Sequence, residues 1–149
     1  MCRSCCLFQL AGDAGKQAIH LLGVFGQHAH NHTGSITPKA HFLIYWYNTA
    51  ADALAQADSA KPCIYNSIHL LILSQMRKGI DPQAYFGELL EQGKLQNAVL
   101  ICDDISSGVV PIDKEMRLWR DATGMVMGML SKHSEQVYRL FAGIASQLK

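Results

Sequence analysis

The feature that most constrains this chain is a run of five apolar residues, Ala98-Val99-Leu100-Ile101-Cys102, that ends abruptly in Asp103-Asp104. A strand with one wet face alternates apolar and polar side chains, and this run does not alternate. It is short and carries β-branched residues, so it reads as a strand buried on both faces. Such strands belong to parallel sheets, whose crossovers place helices on both faces.

The rest of the chain supplies the helices. Asn66 caps one that runs through Arg77, with Ile68, Leu71, Ile72, Gln75 and Met76 inward, and Gly79 closes it. Asp81-Pro82 opens a second, to about Gln92, with proline at its first position. Asp113 caps a third, to about His133, with Met116, Trp119, Val126, Met129 and Leu130 on its inner stripe. Residues 17–24 and 50–60 also read as helical, and 27–40 as loop. Further strands are expected at 6–10, 41–47, 63–65 and 136–142, the last ended by Gly143. The expectation is an α/β fold built on a mostly parallel sheet, with 98–102 inside it next to the strand near 7–10. No repeat or linker divides the chain, so its 149 residues read as one domain.

Composition narrows the function. Thirteen Lys and Arg against twelve Asp and Glu leave a net charge of +1, without the basic excess of a dedicated nucleic-acid binder. No apolar run approaches the ~18 residues of a membrane helix, and the start is a poor secretory signal. Five cysteines are an odd number, and Cys63 and Cys102 sit inside apolar runs. Buried thiols in a reducing, cytoplasmic setting fit this better than a disulfide framework.

In a parallel sheet, ligands bind at the carboxyl ends of the strands. Asp103-Asp104 stands at one such end. At another, Gly12, Gly15 and Lys16 follow the strand at 6–10. Glycines let backbone N–H groups converge on phosphate oxygens, a lysine reaches the outer phosphates, and a carboxylate on a second strand completes a Mg²⁺ site. Gly12, Gly15, Lys16 and Gln17 are therefore the candidate nucleotide contacts. Lys16 and Asp104 are the candidate catalytic pair, with Asp104 the candidate Mg²⁺ ligand and Asp103 beside it on the nucleotide. The full phosphate-loop pattern has a glycine where Leu10 stands and a Ser or Thr where Gln17 stands.

Three stretches carry a family resemblance. They are Val99-Leu100-Ile101-Cys102-Asp103-Asp104 through Gly108-Val109-Val110-Pro111, then Arg117-Leu118-Trp119-Arg120-Asp121-Ala122-Thr123-Gly124, and the ending Gln136 to Ile144. In order and spacing they resemble the adenosylcobinamide kinase/adenosylcobinamide-phosphate guanylyltransferase family of cobalamin nucleotide-loop assembly. Pro62 to Ile72 looks like the family's Asn-x-x-His-Leu-Leu helix, which marks Asn66 and His69 as candidate substrate contacts. Gly12 to Ala18 looks like an altered copy of its phosphate loop. Residues 19–60 show no family pattern.

The resemblance implies a P-loop-type α/β domain and a homotrimer. It implies a nucleoside triphosphate, GTP or ATP, with Mg²⁺, and a corrinoid substrate. The activity implied is phosphorylation of the aminopropanol arm, followed by transfer of GMP from GTP. Asp103 replaces the family's usual Asn, and Ser106 stands where a glycine is expected. The family's guanylyl acceptor is a histidine near an arginine. His28, His30 and His32 lie in that stretch without the arginine, and none is carried over. Two alternatives stay open: a catalytically impaired nucleotide-binding paralogue, and a small metal-binding module built on those histidines with Cys2, Cys5 and Cys6.

Overall fold

The computed structural model describes residues 5–9, 45–48, 54, 63–142 and 144–149. In chain order the elements are β1 (Cys5–Gln9), β2 (Tyr45–Asn48), β3 (Cys63–Asn66), α1 (Ile68–Arg77), α2 (Pro82–Glu91), β4 (Ala98–Asp103), α3 (Lys114–His133), β5 (Gln136–Phe141) and β6 (Ile144–Gln147). The strands form a six-stranded sheet in the order β2-β3-β4-β1-β5-β6. The chain is α/β, as expected.

The helices start and stop where local chemistry dictates. Asp81 accepts the Gln83 amide at 3.0 Å, and Asp113 accepts the Met116 amide at 3.0 Å, so both side chains cap their helices. At the end of α1, Gly79 adopts φ 73 and its amide bonds Met76, while the Ile80 amide bonds Gln75. That paired return of two amides needs a left-handed residue, which glycine adopts without strain.

The sheet has two halves. β2 pairs with β3 and β3 with β4 in parallel, Cys63 facing Ala98 and Tyr65 facing Leu100. β1 is antiparallel to both β4 and β5, and β6 is antiparallel to β5. The strand at 98–102 is interior and adjacent to β1, as expected, but the two run in opposite directions. Residues 10–44 separate β1 from β2, and a connection that long can return the chain to either end of the sheet. An apolar run such as Cys6-Leu7-Phe8 carries no directional signal.

Every residue from Ala98 to Cys102 is at most 7% exposed. On one face, Tyr65, Leu100 and Cys102 share a core with Ile72, Phe86, Trp119, Val126 and Leu130, so α1, α2 and α3 all lie there. On the other, Ile64, Val99 and Ile101 cluster with the half-buried Tyr138 and Leu140. Helices on both faces were expected; among the described residues they pack against the first.

Two smaller expectations change. β6 extends past the expected last strand, through a turn in which Ala142 has φ 50. Met116, Met127 and Met129 pack against the core, but Met125 is 52% exposed. Expectations for residues 10–44 and most of 49–62 lie outside the described residues. No helix among the described residues is long and apolar enough to cross a membrane.

Candidate functional site

β3 and β4 run side by side in parallel, β4 continuing past the end of β3 to Asp103, so both strands finish toward one edge of the sheet. β3 ends at Asn66, whose Oδ1 accepts the Ser67 amide at 2.8 Å. Asn66 was expected to cap α1, but the N-cap is Ser67, left-handed at φ 59 and ψ 41, and no side chain caps the helix. That turn brings His69 onto the first turn of α1, 7% exposed, against the end of β4.

His69 is fixed from three sides. Its Nδ1 accepts the Asp103 amide at 3.3 Å, so in the neutral ring the proton sits on Nε2. Nε2 lies 3.8 Å from Asp103 Oδ2. Its backbone carbonyl accepts Trp119 Nε1–H at 2.7 Å, and the two rings lie 6.1 Å apart. A buried indole N–H with a partner orients the ring and ties α3 to α1.

The two adjacent aspartates serve different ends. Asp103 keeps its carboxylate a third exposed, beside His69. Asp104 turns inward on its own loop. Its Oδ1 accepts the Ser106 amide at 3.1 Å and the Ser106 hydroxyl; its Oδ2 accepts the Ser107 hydroxyl at 2.9 Å and Arg139 Nη2 at 3.1 Å. Partial burial works against the charge on Asp104. The Ser106 and Ser107 hydroxyls, the Ser106 amide and Arg139 together outweigh that and hold the carboxyl below its ordinary value.

Two arginines one turn apart on α3 complete the loop. Arg120 donates to the carbonyls of Ser106 and Val109, and Arg117 to those of Pro111 and Ile112. Gly108, at φ 97, supplies the one turn that a side chain would strain. The loop so held presents Val109 and Ile112 to solvent, 94% and 96% exposed.

The structure therefore brings Asn66, His69, Asp103 and Asp104 to one edge, at the carboxyl ends of parallel strands where ligands bind in such sheets. Gly12, Gly15, Lys16 and Gln17 lie outside the described residues, as do Cys2, His28, His30 and His32; Cys5 and Cys6 are on β1. The expectation that the strand before Lys16 ends on the same edge as Asp103 and Asp104 needs correction, while Lys16 itself lies outside the described residues. β1 ends at Gln9 opposite Val99, while its start, Cys5, lies opposite Asp103. Its carboxyl end is thus about 13 Å along the sheet from Asp103, at ~3.3 Å per residue.

A carboxylate offers about four lone-pair sites, and those of Asp104 are taken by hydrogen-bond donors. Asp104 does not fit the role of a Mg²⁺ ligand, whereas Asp103 has the open carboxylate. Among the described residues, no group of three or more His, Cys, Asp or Glu is placed to hold a metal ion.

Arg117, Arg120 and Arg139 were not among the sequence-derived site residues. Arg139 had a legible signal: it is a charge on the same face of β5 as the buried Val137. Nothing in composition marked Arg117 and Arg120, whose partners are main-chain carbonyls.

No curated protein matches the chain. The model of one family, described as cobinamide kinase / cobinamide phosphate guanyltransferase, matches residues 37–148. The match contains the whole edge from Asn66 to Arg139 and begins after the glycine-lysine turn. It also reaches into 37–60, where the sequence showed no family pattern. The coverage is three-quarters of the chain, and it places this protein in the cobinamide kinase / cobinamide phosphate guanyltransferase family.

Proposed function

We propose that the protein is a nucleotide-dependent transferase acting on adenosylcobinamide in cobalamin nucleotide-loop assembly. The γ-phosphoryl group of GTP or ATP passes to the hydroxyl of the aminopropanol arm, and GMP from a second GTP then joins that phosphate with release of pyrophosphate. The observation that carries this reading is the family match across the edge that holds Asn66, His69, Asp103 and the loop at 104–112.

Within it, Gly12, Gly15, Lys16 and Gln17 meet the phosphates, with Lys16 on the outer ones. Asp103 is the residue that would hold Mg²⁺ with the nucleotide. When bound, the ion neutralises phosphate charge, and it needs few protein ligands because it keeps several waters. Asp104 acts through the loop, whose shape it fixes. Asn66 and His69 face the corrinoid arm, and His69 keeps its Nε2 proton beside Asp103. The working protein is a cytoplasmic homotrimer.

A second reading, a nucleotide-binding paralogue of impaired catalysis, draws support from two observations. Gln17 lacks the hydroxyl that binds Mg²⁺ in a phosphate loop, and β1 runs against β4. Incubating the full chain with adenosylcobinamide, Mg²⁺ and γ-labelled GTP separates the two. The proposal expects slow label transfer to the corrinoid, accelerated in Gln17→Thr. Nucleotide binding with no transfer by either protein selects the paralogue.

A further inference from the structure

Asp103 lies past the point where its parallel neighbour can hold it. The pairing of β3 with β4 ends at Tyr65 opposite Leu100, three residues short of Asp103. A backbone amide at such a strand end needs another acceptor. The Asp103 amide finds one in a side chain, His69 Nδ1 at 3.3 Å. The second ring nitrogen returns to the same residue, with Nε2 3.8 Å from Asp103 Oδ2. One imidazole therefore holds Asp103 by its main chain and steers its carboxylate. The second contact is longer than a hydrogen bond, so the Nε2–H attracts the carboxylate without tying it up.

The ring is itself held. The His69 carbonyl takes the Trp119 indole N–H at 2.7 Å, and the two rings lie 6.1 Å apart at 33°. The His69 side chain is 9% exposed, that of Asp103 33%. A buried, anchored ring thus sets the direction of a carboxylate that stays open to a ligand. We infer that His69 is a positioning residue for Asp103, fixing the carboxylate in the orientation that meets the Mg²⁺ of the nucleotide. The inference rests on the reading that gives Asp103 to that ion, and it is additional to the proposed corrinoid contact of His69.

Two measurements on the full-length chain test it: hydrogen exchange of the Asp103 amide, and calorimetric GTP affinity with and without Mg²⁺. The variants are His69→Leu, His69→Gln and His69→Asn. His69→Leu and His69→Gln should expose the amide and weaken GTP binding in Mg²⁺ by about 10-fold, a usual cost of losing a group that orients a metal ligand. Without Mg²⁺ their affinity should equal that of the wild type. His69→Asn puts an oxygen where Nδ1 stands, and should restore both the protection and most of the affinity. Added to Asp103→Ala, His69→Leu should cost nothing further. If His69→Leu fails to fold, the contrast between His69→Gln and His69→Asn carries the test. An Asp103 amide equally protected in His69→Gln and the wild type overturns the inference. So does an affinity loss that persists without Mg²⁺ or in the Asp103→Ala background, as a merely structural His69 would give. Those results leave the transferase reading standing. A wild type whose GTP binding is absent, or is not strengthened by Mg²⁺, overturns that reading and the inference together, even where the amide responds.

Discussion

The two halves of the sheet meet at the β4–β1 boundary and differ in what they are for. The parallel half, β2 to β4, is buried on both faces where its side chains are described, and its carboxyl edge carries Asn66, His69 and Asp103. The antiparallel half fades outward: β5 alternates between covered and open positions, and all four residues of β6 are exposed. Stability is therefore concentrated on one side of the boundary and chemistry along its edge. The outer half reaches across through β5, where Tyr138 and Leu140 pack against Val99 and Ile101 and Arg139 bonds Asp104. Concentrating burial beside the site makes the site's backbone rigid, since β4 cannot shift without disturbing packing on both faces.

Truncation breaks the comparison most sharply. Leu100 is fully buried at the centre of β4, and Leu100→Ala leaves a cavity that costs about 2–5 kcal/mol. Ile144 on β6 is 69% exposed, and Ile144→Ala changes stability by less than about 0.5 kcal/mol. Urea unfolding of the two variants measures the contrast. Equal losses would show that β6 is packed in solution.

A step smaller is Trp119→Phe. The ring volume is largely kept, but the His69 carbonyl loses its buried donor, at a cost of about 1–3 kcal/mol. Unfolding by guanidinium reports the loss. A neutral result would mean that the carbonyl finds another partner and that α3 does not fix His69.

Smaller again is the arm that crosses the boundary. Asp104→Asn weakens the bond to Arg139 and the loop's hydroxyl contacts, by about 1–2 kcal/mol at pH 7. Its carboxyl is held below the ordinary value in the fold. A depressed folded value gives stability that is complete above the unfolded value, near pH ~4, and is lost as pH falls through the folded one. Wild type and variant should therefore converge in stability as the pH drops below ~4. A constant gap down to acid pH would show that the charge on Asp104 contributes nothing.

How much of this was legible follows the same boundary. The helices at 68–77, 82–91 and 114–133 were readable because caps and inner stripes are local: Asp81, Asp113 and Gly79 act within a turn, and Ile68, Ile72 and Gln75 recur at helical spacing. The depth of β4 was readable because five apolar residues leave no wet face. The direction of β1 was not, because pairing sense depends on where a distant segment returns. β6 was missed because Ile-Ala-Ser-Gln has no apolar alternation and its turn lacks the Asn-Gly type of signal. The site divides likewise. Asp103 and Asp104 were visible as an acidic strand end, and Asn66 and His69 through the family resemblance. Their division of labour was invisible, because it depends on Ser106, Ser107 and Arg139 converging on one carboxylate and not the other.

The central claim is that the edge beside β4 belongs to a nucleotide site served by Lys16 and Asp103. Calorimetric titration of the full chain with GTP and Mg²⁺ tests it most directly, in wild type, Lys16→Ala and Asp103→Ala. The account predicts saturable binding in the wild type. It predicts a loss of about 1.5–3 kcal/mol in Lys16→Ala, the worth of a charged hydrogen bond. In Asp103→Ala it predicts a loss that disappears when Mg²⁺ is withheld from both proteins. GTP affinity unchanged by both substitutions would contradict it, placing the nucleotide, if bound at all, away from this edge.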